Sequence, residues 1–155
     1  MKENETERTT AMGLWTHAKE FSDAAKILRD SKKRHTTIPA YYLIGHAVEL
    51  ILKSYLLAAG ETRKVLKDKI GHNLKKAADK VREHDDGKIS ILLDEYAQQI
   101  EMLNRCYQRK EFEYRVTGTK ILPKKRVLHQ LLDDLIPLAK PYARQSLNAL
   151  PKTKV

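Results

Sequence analysis

The sequence predicts an all-α fold, an up-and-down helical bundle of four to five helices in one domain. Two kinds of observation carry that prediction. One stretch, Ile38 to Gly60, is apolar on almost every side, as a helix buried in a bundle would be. Four further stretches repeat apolar residues at helical spacing, and charged or turn-forming connections separate them. Residues 1–9 and 151–155 read as loose tails around a single helical domain, 10–150.

Taken in order, Thr9 or Thr10 can cap a first helix that buries Ala11, Leu14, Trp15, Ala18, Phe21, Ala25 and Leu28 and ends near Ser31. The second helix is the apolar run. Pro39 suits its first turn, and Gly60 suits its C-terminal cap, where a left-handed backbone is needed. Glu61 to Gly71 reads as a loop or loose helical turns. A short third helix follows from Asn73 to Glu83, capped by Asn73, with Leu74, Ala77, Ala78 and Val81 inward. After the turn at 84–87, the fourth helix carries the longest stripe: Ile89, Leu92, Leu93, Tyr96, Ala97, Ile100, Leu103 and Tyr107. Glu111 to Pro123 reads as an irregular connection, with room for a short extended segment. The last helix starts near Lys124, and Pro137 and Pro141 are expected to kink or divide it. Leu128, Leu131, Leu132, Leu135, Leu138, Ala139, Tyr142 and Leu147 form its inward face.

A chain of 155 residues, 41% hydrophobic and 32% charged, is one domain with one core. Its net charge of +10 and pI near 9.6 favour polyanions: nucleic acid, acidic lipid or an acidic protein. The single cysteine, Cys106, excludes an internal disulfide and fits a cytoplasmic location. No secretory signal opens the sequence. The apolar run is long enough to cross a bilayer, but His46, Glu49 and Lys53 at its middle argue for a core helix. No phosphate-binding glycine loop, nucleophile elbow or His-Glu-x-x-His motif is present, and the reading calls for no metal and no cofactor.

His46, Glu49 and Lys53 fall in one line along the central helix, with Glu49 and Lys53 in the favourable order for an ion pair. Charged lines usually face water. Glu49 itself, on a helix too apolar to be peripheral, is expected to be buried against a partner. His72 reads as a structural histidine beside the Asn73 cap. Basic residues gather in four places: from Lys26 to Arg34, from Arg63 to Lys69, from Lys75 to Arg82, and from Arg105 to Arg126. The fourth is the nucleic-acid candidate. There Arg105, Arg109, Arg115 and Lys120 lie among Tyr107, Phe112 and Tyr114, aromatic rings that either stack on bases or turn into the core.

The segment YYLIGHAVELILKSYLLAAG, followed by His72-Asn73-Leu74, resembles the HEPN domain, a small helical domain of prokaryotic defence, toxin-antitoxin and nucleotidyltransferase-partner proteins. Its second-helix pattern falls on His46, Glu49, Leu52, Lys53 and Leu56, with histidine in a position usually small. Asn73 replaces the usual Asp of the second motif. EFEYR at 111–115 resembles the aromatic and arginine stretch before the last long helix. The resemblance implies a homodimer, RNA or nucleotide as ligand, and a nucleotidyltransferase or antitoxin-type protein partner. Catalytic members pair an Arg with a His a few residues later. Here Arg115 is followed by Lys120, Ile121 and Leu122, so the histidine is absent, and Arg29 with His35, the pair of matching spacing, lies outside that region. The expectation is a non-catalytic binding module. A divergent ribonuclease and a purely structural interaction protein are the alternatives.

Overall fold

The computed structural model describes residues 8–84, 87–114 and 117–148, with side chains as far as Ser146. Among them seven helices are found: α1 (Ala11–Asp30), α2 (Thr37–Ala58), α3 (Arg63–Val65), α4 (Leu74–His84), α5 (Lys88–Glu95), α6 (Ala97–Tyr107) and α7 (Lys125–Asn148). None of the described residues forms a strand, and no helix among them is long and apolar enough to cross a membrane.

Thr10 caps α1, its hydroxyl accepting from the Gly13 amide at 3.0 Å. At the end of α2 the Glu61 amide bonds the Leu56 carbonyl and the Gly60 amide bonds Leu57, a Schellman closure that needs the positive φ of Gly60, 104°. Thr62 caps α3, which runs into a π-helical turn, Leu66–Ile70. Asn73 caps α4, and the predicted inner face of that helix (Leu74, Ala77, Ala78, Val81) is buried throughout.

Three side-chain bonds to distant backbone fix the layout. Ser54 donates to the Ala11 carbonyl, Trp15 Nε1 to Ile136 and the Tyr41 hydroxyl to Pro123, at 2.6, 2.8 and 2.6 Å. These pairings set α1 antiparallel to α2 and to α7. Glu49 meets His72 while Glu61 meets His84, so α4 runs in the same sense as α2. The connection through α3 and the π-turn carries the chain back along α2 before α4 begins. A strictly up-and-down path with short connections is therefore corrected at this point.

The expected helix count of four to five also changes. The predicted fourth helix is two, broken at Tyr96, whose backbone (φ −104°, ψ 12°) leaves the helical region. The break lets α5 pack on α7 while α6 packs on α2 and α4. It also turns Ala97, expected inward, to the surface. Pro137 and Pro141 do not divide α7. They remove the amides that would bond Asp133 and Pro137, and Trp15 braces the segment from α1. Tyr142, expected inward, is part exposed with its ring edge against Tyr55. Of the proposed tails 1–9 and 151–155, residues 1–7 and 151–155 lie outside the described residues, as do residues 149–150 and the side chain of Leu147; Thr9 is tied down, its carbonyl accepting from Arg63 Nε.

Candidate functional site

The polar line of α2 is the centre of a buried network. Glu49 is only 3% exposed. Its Oε1 accepts from His72 Nδ1 at 2.6 Å and from the Tyr107 hydroxyl at 3.1 Å, while Lys53 Nζ stands 3.5 Å from Oε2. His46 Nδ1 lies 3.1 Å from the same Tyr107 hydroxyl, with Phe21 edge-on to its ring and Tyr42 stacked on it. The line faces the interior, against the general rule for charges.

The protonation pattern follows from these partners. Burial first, then the neighbouring Glu49 charge, pushes the Tyr107 hydroxyl far above the usual tyrosine range, so it stays protonated and donates to Glu49. His46 Nδ1–H must then supply the hydrogen in its own bond to Tyr107. Burial, only partly offset by Glu49, lowers the His46 pKa below the ordinary histidine value. His72 Nδ1–H donates to the carboxylate, which can only accept. Glu49 thus orients one imidazole directly and another through a phenol.

Local folding places each member. Gly71, with φ of 54°, ends the π-turn as its amide bonds the Leu66 carbonyl, and this sets His72 opposite Glu49. Asn73 Oδ1 caps the Lys76 amide. Asn104, buried on α6, accepts from the Leu74 amide at 2.8 Å and donates to Asn73 Oδ1 at 3.0 Å. Sequence reading missed Asn104; its signal was a polar residue on the inward stripe between Ile100 and Tyr107. It also missed the roles of Tyr107 and His72 as partners of Glu49.

His72 remains 49% exposed and borders a groove of about 260 Å³ beside α2. Lys53, Arg63 and Lys67 line the groove, and Leu14, Leu50 and Leu66 give it apolar surface. Arg63 Nε is fixed by the Thr9 carbonyl at 2.7 Å.

The four basic clusters differ in how many of their cations are paired. Lys75, Lys80 and Arg82 are all paired, with Asp79, with Glu61 and Glu83, and with Asp79 and Asp94. Lys26 pairs with Asp133 and Arg29 with Asp30, so Arg29 is tied to a carboxylate beside it rather than to His35. Lys32, Lys33, Arg34 and Lys76 make no ion pair among the described residues, and neither do Arg63, Lys64, Lys67 and Lys69, nor Arg109, Lys110, Lys124 and Arg126. Arg105 has only Glu101, at 3.8 Å.

In the fourth cluster the aromatics divide. Tyr107 is in the core, Phe112 stacks on Tyr41 at 6.0 Å, and Tyr114 is 64% exposed. Arg109 and Lys120 both lie close enough to the Cys106 thiol to act on it. Burial and Glu111 nevertheless push that thiol up to about 11, which leaves it protonated and unreactive at neutral pH. Lys120 is half-buried and engaged in an interaction of its own. Arg115 lies outside the described residues. No family model, curated protein or solved structure matches the chain.

Proposed function

We propose that the chain is a HEPN-like RNA- or nucleotide-binding module, non-catalytic, that acts as a homodimer and with a protein partner in a defence or toxin-antitoxin type of system. The observation that carries the reading is the surface around the connection between α6 and α7. Arg109, Lys110, Lys124 and Arg126 have no carboxylate partner among the described residues, and an exposed Tyr114 lies between them in sequence. Glu111 and Glu113 lie in the same stretch without pairing these four cations, whereas Lys75, Lys80 and Arg82 are each held by a carboxylate. The two HEPN-like motif segments also meet in space, through the Glu49–His72 bond, which supports the family reading.

The test is a titration of single-stranded RNA across a salt series. Affinity should fall steeply with salt as phosphate contacts release counterions. Arg105→Ala with Arg109→Ala and Tyr114→Ala should weaken binding at least about tenfold and flatten that slope, since one stacked base alone is worth about 1–3 kcal/mol. These residues are chosen over Lys120 because its existing interaction would mix a structural loss into the result. Salt-independent or undetectable binding would remove the reading, and sedimentation should give a dimer at micromolar concentration. One observation favours the ribonuclease alternative: His72, half-exposed and oriented by Glu49, has the arrangement of a general base. Metal-free cleavage of labelled RNA, abolished by His72→Gln, would establish it.

A further inference from the structure

We infer that the groove beside α2 is a separate anion site, built to take a phosphate monoester carried on a flat or apolar body. The charge on its walls matches that group. Lys53, Arg63 and Lys67 stand against the single carboxylate of Glu49, a surplus of two positive charges before His72 is counted. A phosphate monoester carries close to two negative charges at neutral pH, whereas each diester link of a nucleic-acid strand carries one. At about 260 Å³ the space suits a small ligand or a strand end rather than a strand passing through.

The walls are also held in place. Arg63 is anchored through Nε on the Thr9 carbonyl, so its terminal nitrogens remain for a ligand. His72 is fixed through Nδ1 by an interior carboxylate while half of its side chain is exposed. Packing alone does not account for that arrangement, because burying Glu49 to orient a surface imidazole carries a desolvation cost that an apolar pair would avoid. Leu14, Leu50 and Leu66 offer apolar surface to the body that bears the phosphate. The site is independent of the basic connection between α6 and α7, and either can fail without the other.

The experiment titrates phenyl phosphate into the full chain and follows backbone amide shifts. Saturable shifts at Lys67, Gly71 and His72 are expected with Kd on the order of 1 mM or tighter, the range open to so small a ligand. Phenol should not bind, and inorganic phosphate should bind more weakly. Lys67→Glu, a substitution at an exposed position, should weaken the interaction more than about tenfold with the helical circular dichroism unchanged, and His72→Gln should weaken it less. Absence of saturable shifts in the groove, shifts confined to the Arg105–Lys125 stretch, or full affinity in Lys67→Glu would each overturn the assignment. Two RNA oligomers of one sequence, 5′-phosphorylated and 5′-hydroxyl, then separate the sources of the group. A several-fold preference for the phosphorylated strand that Lys67→Glu erases assigns an RNA end, and equal binding of the two strands alongside phenyl phosphate binding assigns a free phosphate monoester. The Arg105, Arg109 and Tyr114 variant should retain phenyl phosphate binding even where it loses RNA.

Discussion

Tyr107 packs directly against the backbone of Gly45: a Cβ at that position would meet ring carbon Cδ2 at 2.5 Å and Cγ at 3.2 Å. The ring cannot slide aside freely, because its hydroxyl is bonded to Glu49 and to His46. Gly45→Ala would improve helix propensity by about 1 kcal/mol. Overpacking costs about 1–3 kcal/mol, and loss of a buried hydrogen bond costs about 1 kcal/mol more. A net loss of about 1–3 kcal/mol is expected in urea unfolding. An alanine variant as stable as the parent would show that Tyr107 is loosely held.

Glu49→Leu should be far more harmful. It removes the acceptor of both His72 and Tyr107 and leaves Lys53, whose side chain is only 13% exposed, without its carboxylate. Breaking a buried pair from one side typically costs about 3–5 kcal/mol. Glu49→Gln keeps one acceptor oxygen and should cost less. Chemical denaturation of the two variants checks the order, and an unchanged midpoint for the leucine variant would contradict the network.

Asn104 supplies the third test. Asn104→Leu leaves the Leu74 amide without its acceptor at the start of α4 and takes a donor from Asn73. The expected loss is about 1–3 kcal/mol. Amide hydrogen exchange should quicken first in the opening turn of α4; uniform protection along that helix would count against a capping role.

His129 makes stability depend on pH. It is 2% exposed, neither ring nitrogen has a partner among the described residues, and burial first, then the nearby Arg29 charge, lowers its pKa below the ordinary histidine value. His46 is shifted in the same direction. Between the folded pKa and the unfolded value of about 6.5 the unfolded chain binds more protons. Stability is therefore fully present above that unfolded value and is lost as pH falls through the folded pKa. His129→Leu should flatten the melting temperature between pH 7 and 5 and, by removing an unsatisfied buried group, stabilise the chain by about 1 kcal/mol at neutral pH. An acid sensitivity that persists in full would assign it to His46 or to carboxylates instead.

Much of this fold was legible because local rules set it. The inner face of α4, the caps at Thr10 and Asn73 and the glycine closure after α2 follow from helical spacing and from residues a few positions apart. The burial of Glu49 was legible too, because the run around it offers no wet side. Its partners were not: Tyr107 lies 58 positions and His72 23 positions away, and nothing in either residue type names a carboxylate on another helix. The break at Tyr96 has no glycine or proline to announce it, and the return path through α3 depends on where α4 docks. Charge clustering alone did not separate paired from unpaired lysines; the positions of Asp79, Asp94 and Glu61 on neighbouring helices did.

The chain holds one tryptophan, and its indole nitrogen is bonded to the Ile136 carbonyl of α7 while the Lys140 ammonium stands 4.7 Å from its ring centroid. Both contacts cross the seam between the first helix and the last. The emission of that indole is thus an optical gauge of that single seam rather than of the molecule as a whole. A far-ultraviolet signal that outlasts the emission change during unfolding would mean that α1 lifts from α7 while the helices themselves persist.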